Sequence, residues 1–251
     1  APGADNSDRY YGADRVWPFV IVGTHPYNSL LRQIANENGA DGTVRVCAAN
    51  LNAQGITIDF RQTDPEKAMT LWGSRLDRFA IPLAVLPTRT HGSVVDPERA
   101  DPDNQDGIAE TPDEQAQLGQ LILQALGCAD FDQYRTIGQQ WQDLSERTAD
   151  KRRQAEHPDY YHQYLQANFN VSDDYGQPVD DYFLEFFSNT NKKNDAANAY
   201  LHQCVIEDVK VNSQNKAGRN LYFDRTDLIE GYYPQVPGRA DPVLYLSISA
   251  A

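Results

Sequence analysis

Two short apolar runs in the first third of the chain have the pattern of buried β-strands. They cover residues 19–22, directly before Gly23, and residues 81–86, and neither alternates strictly between apolar and polar side chains. This pattern is typical of strands covered on both faces in a mostly parallel sheet. Between them, residues 27–37 carry leucine and isoleucine at helical spacing before an Asn-Gly pair, which predicts a helix and its end.

The segment after this helix contains two alternating apolar runs, residues 43–48 and 56–60. Asn-Ala-Gln-Gly lies between them, and Gly55 is the residue type that best tolerates a positive φ angle. The pattern therefore predicts a β-hairpin. The first of the two runs is also compatible with a helix.

Two longer helices are predicted in the middle of the chain. Thr111 and Pro112 have the chemistry of an N-cap and a first helical position, and leucine and isoleucine follow at helical spacing. A more polar helix is predicted over residues 132–154. Residues 96–111 are rich in aspartate and proline, which predicts a loop.

From about residue 160 the pattern changes to short strands separated by segments rich in turn-forming residues. The predicted strands are residues 164–171, 182–187, 204–211, 221–224 and 243–248. Strands at such intervals are typical of an antiparallel sandwich or barrel. We therefore predict a domain boundary after residue 156, with residues 157–251 forming an accessory β-sandwich domain.

Composition limits the possible partners of the chain. The 36 acidic and 22 basic side chains of its 251 residues give a net charge of -14, which repels phosphate backbones. We therefore expect no nucleic-acid partner, and no run of about 20 apolar residues predicts a transmembrane segment. The three cysteines, Cys47, Cys128 and Cys204, are widely spaced and are expected to be buried free thiols, although one disulfide remains possible. They leave the compartment open.

Two polar residues on predicted turns carry the candidate chemistry. Asp41 lies in the sequence Gly-Ala-Asp-Gly-Thr-Val at residues 39–44, and His91 lies in Thr-His-Gly-Ser at residues 90–93. Each is next to a predicted β-rich run, in the chain order in which α/β-hydrolases place the acid and the base of a catalytic triad. The sequence contains no Gly-x-Ser-x-Gly, so the corresponding serine nucleophile has no candidate here.

On these motifs, residues 17–127 resemble the C-terminal part of a lipase or esterase of the α/β-hydrolase superfamily, in which Asp-Gly-x-Val often carries the triad acid. The resemblance implies an α/β hydrolase-like partial parallel sheet with helices over residues 1–156, followed by the antiparallel β-sandwich. It also implies that the half of the fold carrying the serine, its elbow and the oxyanion hole is missing. The hairpin-like insertion after Asp41 departs from the superfamily pattern.

The function predicted from this resemblance is serine ester hydrolysis with an acyl ester or lipid as substrate and no cofactor. This chain would supply Asp41 as acid and His91 as base, and the serine would lie in an N-terminal hydrolase fragment or a partner chain. One alternative is a non-catalytic binding or structural protein, which would keep the two side chains apart. Another is an acid/base enzyme that uses His91 without a serine nucleophile.

The remaining histidines and acidic residues offer few candidates for substrate or metal binding. His25 follows the first predicted strand, where it could line a substrate cleft or cap the next helix. His157, His162 and His202 lack partners at helical metal-ligand spacing and are expected to have surface or packing roles. The acidic residues between 96 and 107 fail the spacing of a calcium loop. We therefore expect no metal.

Overall fold

The computed structural model describes residues 16–26, 38–72, 80–96, 112–189, 191, 195–236 and 243–250. The chain divides into two compact units, Ala1–Tyr161 and His162–Ala251, here called unit one and unit two. None of the helices in the described part combines the length and the apolar character that crossing a bilayer requires. The predicted boundary after residue 156 and the accessory role of the second domain stay predictions.

Unit one combines short strands with helices. Its elements in chain order are β1 (Val20–Gly23), α1 (Val46–Ala49), β2 (Ile56–Ile58), α2 (Pro65–Ala68), β3 (Met69–Leu71), β4 (Leu83–Leu86), α3 (His91–Val95), α4 (Pro112–Leu126) and α5 (Phe131–Asp150). β1 and β4 form a parallel pair, and β2 and β3 form an antiparallel ribbon. The predicted mixed α/β character is confirmed, whereas the wider hydrolase-like parallel sheet stays a prediction.

Helices α4 and α5 form the core of unit one together with β4. Leu118, Leu121 and Trp141 pack in one buried cluster with Ala84 and Leu86, because the apolar stripe of each helix faces the strand. The indole of Trp141 is 1% exposed and donates a hydrogen bond to the Gln124 side chain at 3.0 Å. The two long predicted helices are thus confirmed, with α5 ending at Asp150 and a short 3-10 turn following it.

Helix α5 also satisfies main-chain groups of β4 that no strand of the described part pairs. The Ser145 hydroxyl donates to the Leu83 carbonyl at 3.0 Å and accepts from the Val85 amide at 3.0 Å. The Thr148 hydroxyl donates to the Val85 carbonyl at 2.8 Å. Buried main-chain groups need hydrogen-bond partners, and these hydroxyls supply them along the edge of β4 that β1 does not pair. They therefore allow β4 to pack against α5.

The predicted hairpin across residues 43–60 is wrong. Residues 46–49 form helix α1, so the helical alternative is the one adopted, and β2 pairs instead with β3, which puts Ile56 opposite Leu71. Alternation identifies a strand but not its partner, since the partner is set by tertiary contacts. The predicted helix over residues 27–37, most of the predicted loop before α4 and the Thr111 cap lie outside the described residues.

Unit two is built on two antiparallel sheets. Its elements are β5 (Tyr164–Asn170), β6 (Tyr182–Phe187), α6 (Ala196–Tyr200), β7 (Ile206–Val211), β8 (Gly218–Asp224), α7 (Arg225–Asp227) and β9 (Tyr245–Ala250). One sheet has the order β5-β8-β7, and the other pairs β6 with β9. All five predicted strands are present, β6 with the predicted bounds and the other four with at least one shifted end, while their arrangement as a sandwich stays a prediction.

Aromatic side chains from both sheets meet in the core of unit two. Phe186 of β6 packs edge-on against Phe223 of β8, with ring centroids 5.2 Å apart. Two π-helical turns, Leu201–Val205 and Leu228–Tyr232, complete this core through residues that are almost fully buried. The first of these turns explains why β7 begins at Ile206, two residues later than predicted.

Candidate active site

Asp41 lies on a tight turn that fixes its carboxylate. Gly39 and Gly42 have φ angles of 65° and 88°, a region that glycine adopts without strain. The turn places the amides of Thr43 and Val44 at 3.1 and 2.8 Å from Asp41 Oδ1. The residue is 2% exposed. One carboxylate oxygen is therefore held by the main chain, and Oδ2 is left to face another group.

His91 is the first residue of α3, directly after the turn that ends β4. Thr90 caps this helix and forms a capping box with Ser93, in which each side chain accepts a hydrogen bond from the other residue's amide. Thr88 has a φ angle of 58°, which is unfavourable for a β-branched residue and is found where surrounding structure enforces it. The capped start of α3 and the constrained turn at Thr88 therefore fix the position of His91.

The structure brings Asp41 and His91 together although they are 50 residues apart. His91 Nδ1 lies 3.0 Å from Asp41 Oδ2, and the His91 amide donates to the Asp41 carbonyl at 2.7 Å. The Asp41 side chain is 3% exposed, whereas 43% of the His91 side chain is accessible. A buried carboxylate that accepts the Nδ1 proton fixes the imidazole tautomer, so that Nε2 is the basic nitrogen. Their catalytic role stays a prediction.

No hydroxyl group of the described residues hydrogen bonds to His91. The Ser93 side chain is 1% exposed and is held by Thr90, because it is part of the capping box. Ser145 is engaged with β4. Ser74 lies outside the described residues. In the described part of the chain, the Asp41 carboxylate and the His91 imidazole are thus in contact without a hydroxyl group bound to the imidazole.

His25 is placed in the interior of unit one. It is 1% exposed, and its ring packs edge-on against Tyr160 and Tyr161 at centroid distances of 5.6 and 6.4 Å. Its amide donates to the Arg89 carbonyl at 3.0 Å, which ties the end of β1 to the turn before His91. This placement gives His25 a packing environment, and its predicted contact with substrate stays a prediction.

Gly23 offers a test of how this turn is held. A Cβ atom added there would lie 1.9 Å from the Arg89 carbonyl oxygen, which is main chain and must move as a result. We expect Gly23→Ala to lower the free energy of unfolding by about 1–3 kcal/mol. Because Arg89 is two residues before His91, we also expect lower activity of any enzyme that contains this pair. Urea unfolding and an ester hydrolysis assay measure the two effects.

Gly119 provides the matched control for this substitution. It lies on the exposed face of α4, where an added Cβ would meet nothing within 4 Å. Gly119→Ala is expected to raise the free energy of unfolding by about 0.5–1 kcal/mol, because alanine loses less backbone entropy in a helix. Equal effects of the two substitutions would contradict the close packing of β1 against the Arg89 turn.

A group of potential metal ligands lies in unit two, and its residues are remote in sequence from the Asp41 turn. His162, Asp224 and Asp227 each offer one ligand atom, and these atoms all lie within 4.8 Å of one another. The neighbouring Tyr164 hydroxyl donates to the Glu207 carboxylate at 3.0 Å. Burial, and then the negative charges of Asp224 and Glu207, raise the pKa of Tyr164, so that this phenol stays a neutral donor.

Comparison with known proteins identifies the fold. No protein-family model matches the sequence, and the curated proteins contain no significant match. Solved structures with the same fold include phospholipase PlaB from Legionella pneumophila, at 19% identity and a TM-score of 0.64, covering 99% of this chain and 57% of that one. Another is the same phospholipase in complex with thio-NAD, at 18% identity and a TM-score of 0.65, covering 99% and 58%.

This likeness extends over almost the whole of the described chain. The chain therefore has a lipase-like fold, although its identity to these structures is too low to carry more than the fold. It spans somewhat more than half the length of the PlaB chains that it matches.

Proposed function

We propose that this chain supplies the acid and the base of a serine ester hydrolase that acts on acyl esters of lipids. Asp41 is the acid and His91 is the base. The serine nucleophile comes from an upstream half of the same protein or from a partner chain. The observation that carries the proposal is the 3.0 Å contact between a buried carboxylate oxygen and Nδ1 of a half-exposed imidazole.

In this proposal His91 moves the protons of the reaction. Nε2 takes the proton from the serine hydroxyl as the serine oxygen attacks the ester carbonyl carbon, which forms a tetrahedral oxyanion. The imidazolium then gives this proton to the departing alcohol oxygen, and an acyl-serine remains. A water molecule, deprotonated by the same nitrogen, attacks the acyl carbon, and the proton returns to the serine as the fatty acid leaves.

Asp41 acts on the reaction through His91. Its Oδ2 accepts the Nδ1 proton and stabilises the positive charge that the imidazole gains in each half of the cycle. The Thr43 and Val44 amides hold Oδ1, so the carboxylate is oriented before the substrate binds. Such preorganised charge is worth most in a site that excludes water, and the Asp41 side chain is 3% exposed.

Two further observations support the class of reaction. The fold is shared with a protein that is named a phospholipase, and that protein is longer than this chain. Asp41 precedes His91 along the chain, and His91 follows β4, one strand of the parallel pair; this agrees with the order of acid and base in α/β-hydrolases. The non-catalytic alternative predicts that the two side chains are kept apart, whereas His91 Nδ1 and Asp41 Oδ2 are 3.0 Å from each other.

The experiment compares the chain alone with the chain joined to, or co-expressed with, its upstream half. We expect the chain alone to leave short-chain acyl esters and phosphatidylcholine vesicles unhydrolysed, and the combined protein to release fatty acid from both. Free fatty acid is measured directly. Full activity of the chain alone would contradict the proposed source of the serine, and a combined protein that is folded but inert on both substrates would contradict the function.

A further inference from the structure

The carboxylates of unit two that surround His162 have a geometry that an ion pair alone does not require. His162 Nδ1 lies 2.6 Å from Asp224 Oδ2, and Asp227 adds a second carboxylate, with one ligand atom of each residue within 4.8 Å of the others. Asp224 is 3% exposed, and the His162 side chain is 14% exposed. One imidazole would thus serve two carboxylates in a site with little access to solvent.

Hydrogen bonds from an amide and a hydroxyl group orient the carboxylates of Asp224 and Asp227. Asp224 Oδ1 caps α7 by accepting from the Asp227 amide at 2.9 Å, which leaves Oδ2 directed at His162. The Tyr200 hydroxyl donates to Asp227 Oδ1 at 3.2 Å and so orients that carboxylate. Hydrogen bonds that fix one oxygen of each ligand are the usual support of a metal site.

We propose that His162 Nδ1, Asp224 Oδ2 and a carboxylate oxygen of Asp227 bind one divalent transition-metal ion, for which Zn²⁺ is the best fit. Tetrahedral zinc takes imidazole nitrogen and carboxylate oxygen at about 2.0–2.2 Å, so two of its ligand atoms lie about 3.3–3.6 Å apart. The ligand atoms here lie within 4.8 Å of one another, with 2.6 Å between His162 Nδ1 and Asp224 Oδ2. Side-chain movements of about 1 Å bring them to the separations that zinc requires.

The donor set distinguishes Zn²⁺ from the hard cations. Calcium takes about six to eight oxygen ligands, and magnesium usually keeps its waters and binds few carboxylates. A site with one nitrogen and two carboxylate oxygens suits zinc and neighbouring transition metals better. Chloride salts of Zn²⁺ and Ca²⁺ therefore serve as probe and control.

Binding would connect two parts of unit two that are remote in sequence. His162 is the first residue of the unit, whereas Asp224 ends β8 and Asp227 lies in α7. An ion that binds the folded state but not the unfolded chain raises the free energy of unfolding, and does so more as its concentration rises above Kd. The role of the ion is thus structural, and this site is independent of the proposed hydrolase function.

The test uses the whole chain after removal of metal with EDTA and buffer exchange. Isothermal titration calorimetry is expected to show one Zn²⁺ ion bound per chain. Thermal unfolding is expected to show a higher Tm in the presence of Zn²⁺. Ca²⁺ is expected neither to bind nor to raise Tm. Asp227→Asn and His162→Ala are each expected to weaken binding by about tenfold or more. Asp227→Asn is the sharper variant, because asparagine can still accept the hydrogen bond from Tyr200.

Controls separate this site from adventitious binding to other side chains. His157→Ala removes an exposed histidine of unit one and is expected to leave Zn²⁺ affinity unchanged. Co²⁺ bound at the site is expected to lack the near-ultraviolet band of a thiolate ligand, which excludes the three cysteines. Absence of stoichiometric Zn²⁺ binding, or unchanged affinity in both ligand variants, would mean that His162 and Asp224 form an ion pair only, and the proposal would be overturned.

Discussion

His91→Ala, made in the protein that contains both this chain and its nucleophile, is expected to lower kcat on acyl esters by about 10⁴- to 10⁶-fold. The substitution removes the group that takes the proton from the serine and returns it to the leaving alcohol. Substrate binding is expected to change little, because the imidazole acts on the transition state. Initial rates of fatty acid release over a range of substrate concentrations separate kcat from KM.

The control for this variant is His157→Ala. His157 is exposed in the same unit and packs beside Tyr160, with ring centroids 5.0 Å apart. We expect its replacement to leave kcat unchanged, since it has no place in the proposed proton transfers. A His91→Ala protein that is folded and retains the rate of the His157→Ala control would exclude His91 as the base.

Asp41→Asn is expected to lower kcat by about 10⁴-fold while the turn that holds residue 41 is retained. The asparagine oxygen can still accept from the Thr43 and Val44 amides, so the fold should survive. Its NH₂ group would then face His91 Nδ1, which favours the tautomer with the proton on Nε2. That tautomer cannot take a proton from serine.

The matched control is Asp143→Asn, on the exposed face of α5, where the carboxylate contacts only Gln139 among the described residues. We expect this change to affect neither kcat nor the free energy of unfolding. If Asp41→Asn also left kcat and the free energy of unfolding unchanged, Asp41 would not be the acid of the reaction. Circular dichroism checks that Asp41→Asn is folded, so that its loss of activity reports on the carboxylate itself.

Local patterns in the sequence predicted the elements on which the candidate site depends. The apolar runs before Gly23 and before Pro87 mark β1 and β4, because strands buried on both faces need apolar residues at successive positions. The glycines around Asp41 indicate a turn. Each of these signals depends on a few neighbouring residues, so it can be recognised in the sequence alone.

Features that depend on contacts between residues remote in sequence could not be predicted from the sequence. Ile56 pairs with Leu71 and not with the nearer alternating run, because side-chain packing selects the partner. His162 and Asp224 are 62 residues apart, so no spacing rule for metal ligands could connect them. The burial of His25 likewise depends on Tyr160 and Tyr161, which come from the far end of unit one.

One measurement tests the central claim most directly: labelling of the complete protein with a fluorophosphonate, followed by peptide mass spectrometry. This probe reacts with a serine only when a neighbouring base activates it. The account predicts that one serine, upstream of this chain or in its partner, is labelled, and that His91→Ala abolishes the labelling. Labelling that persists in folded His91→Ala, or no labelled serine in an active enzyme, would contradict it.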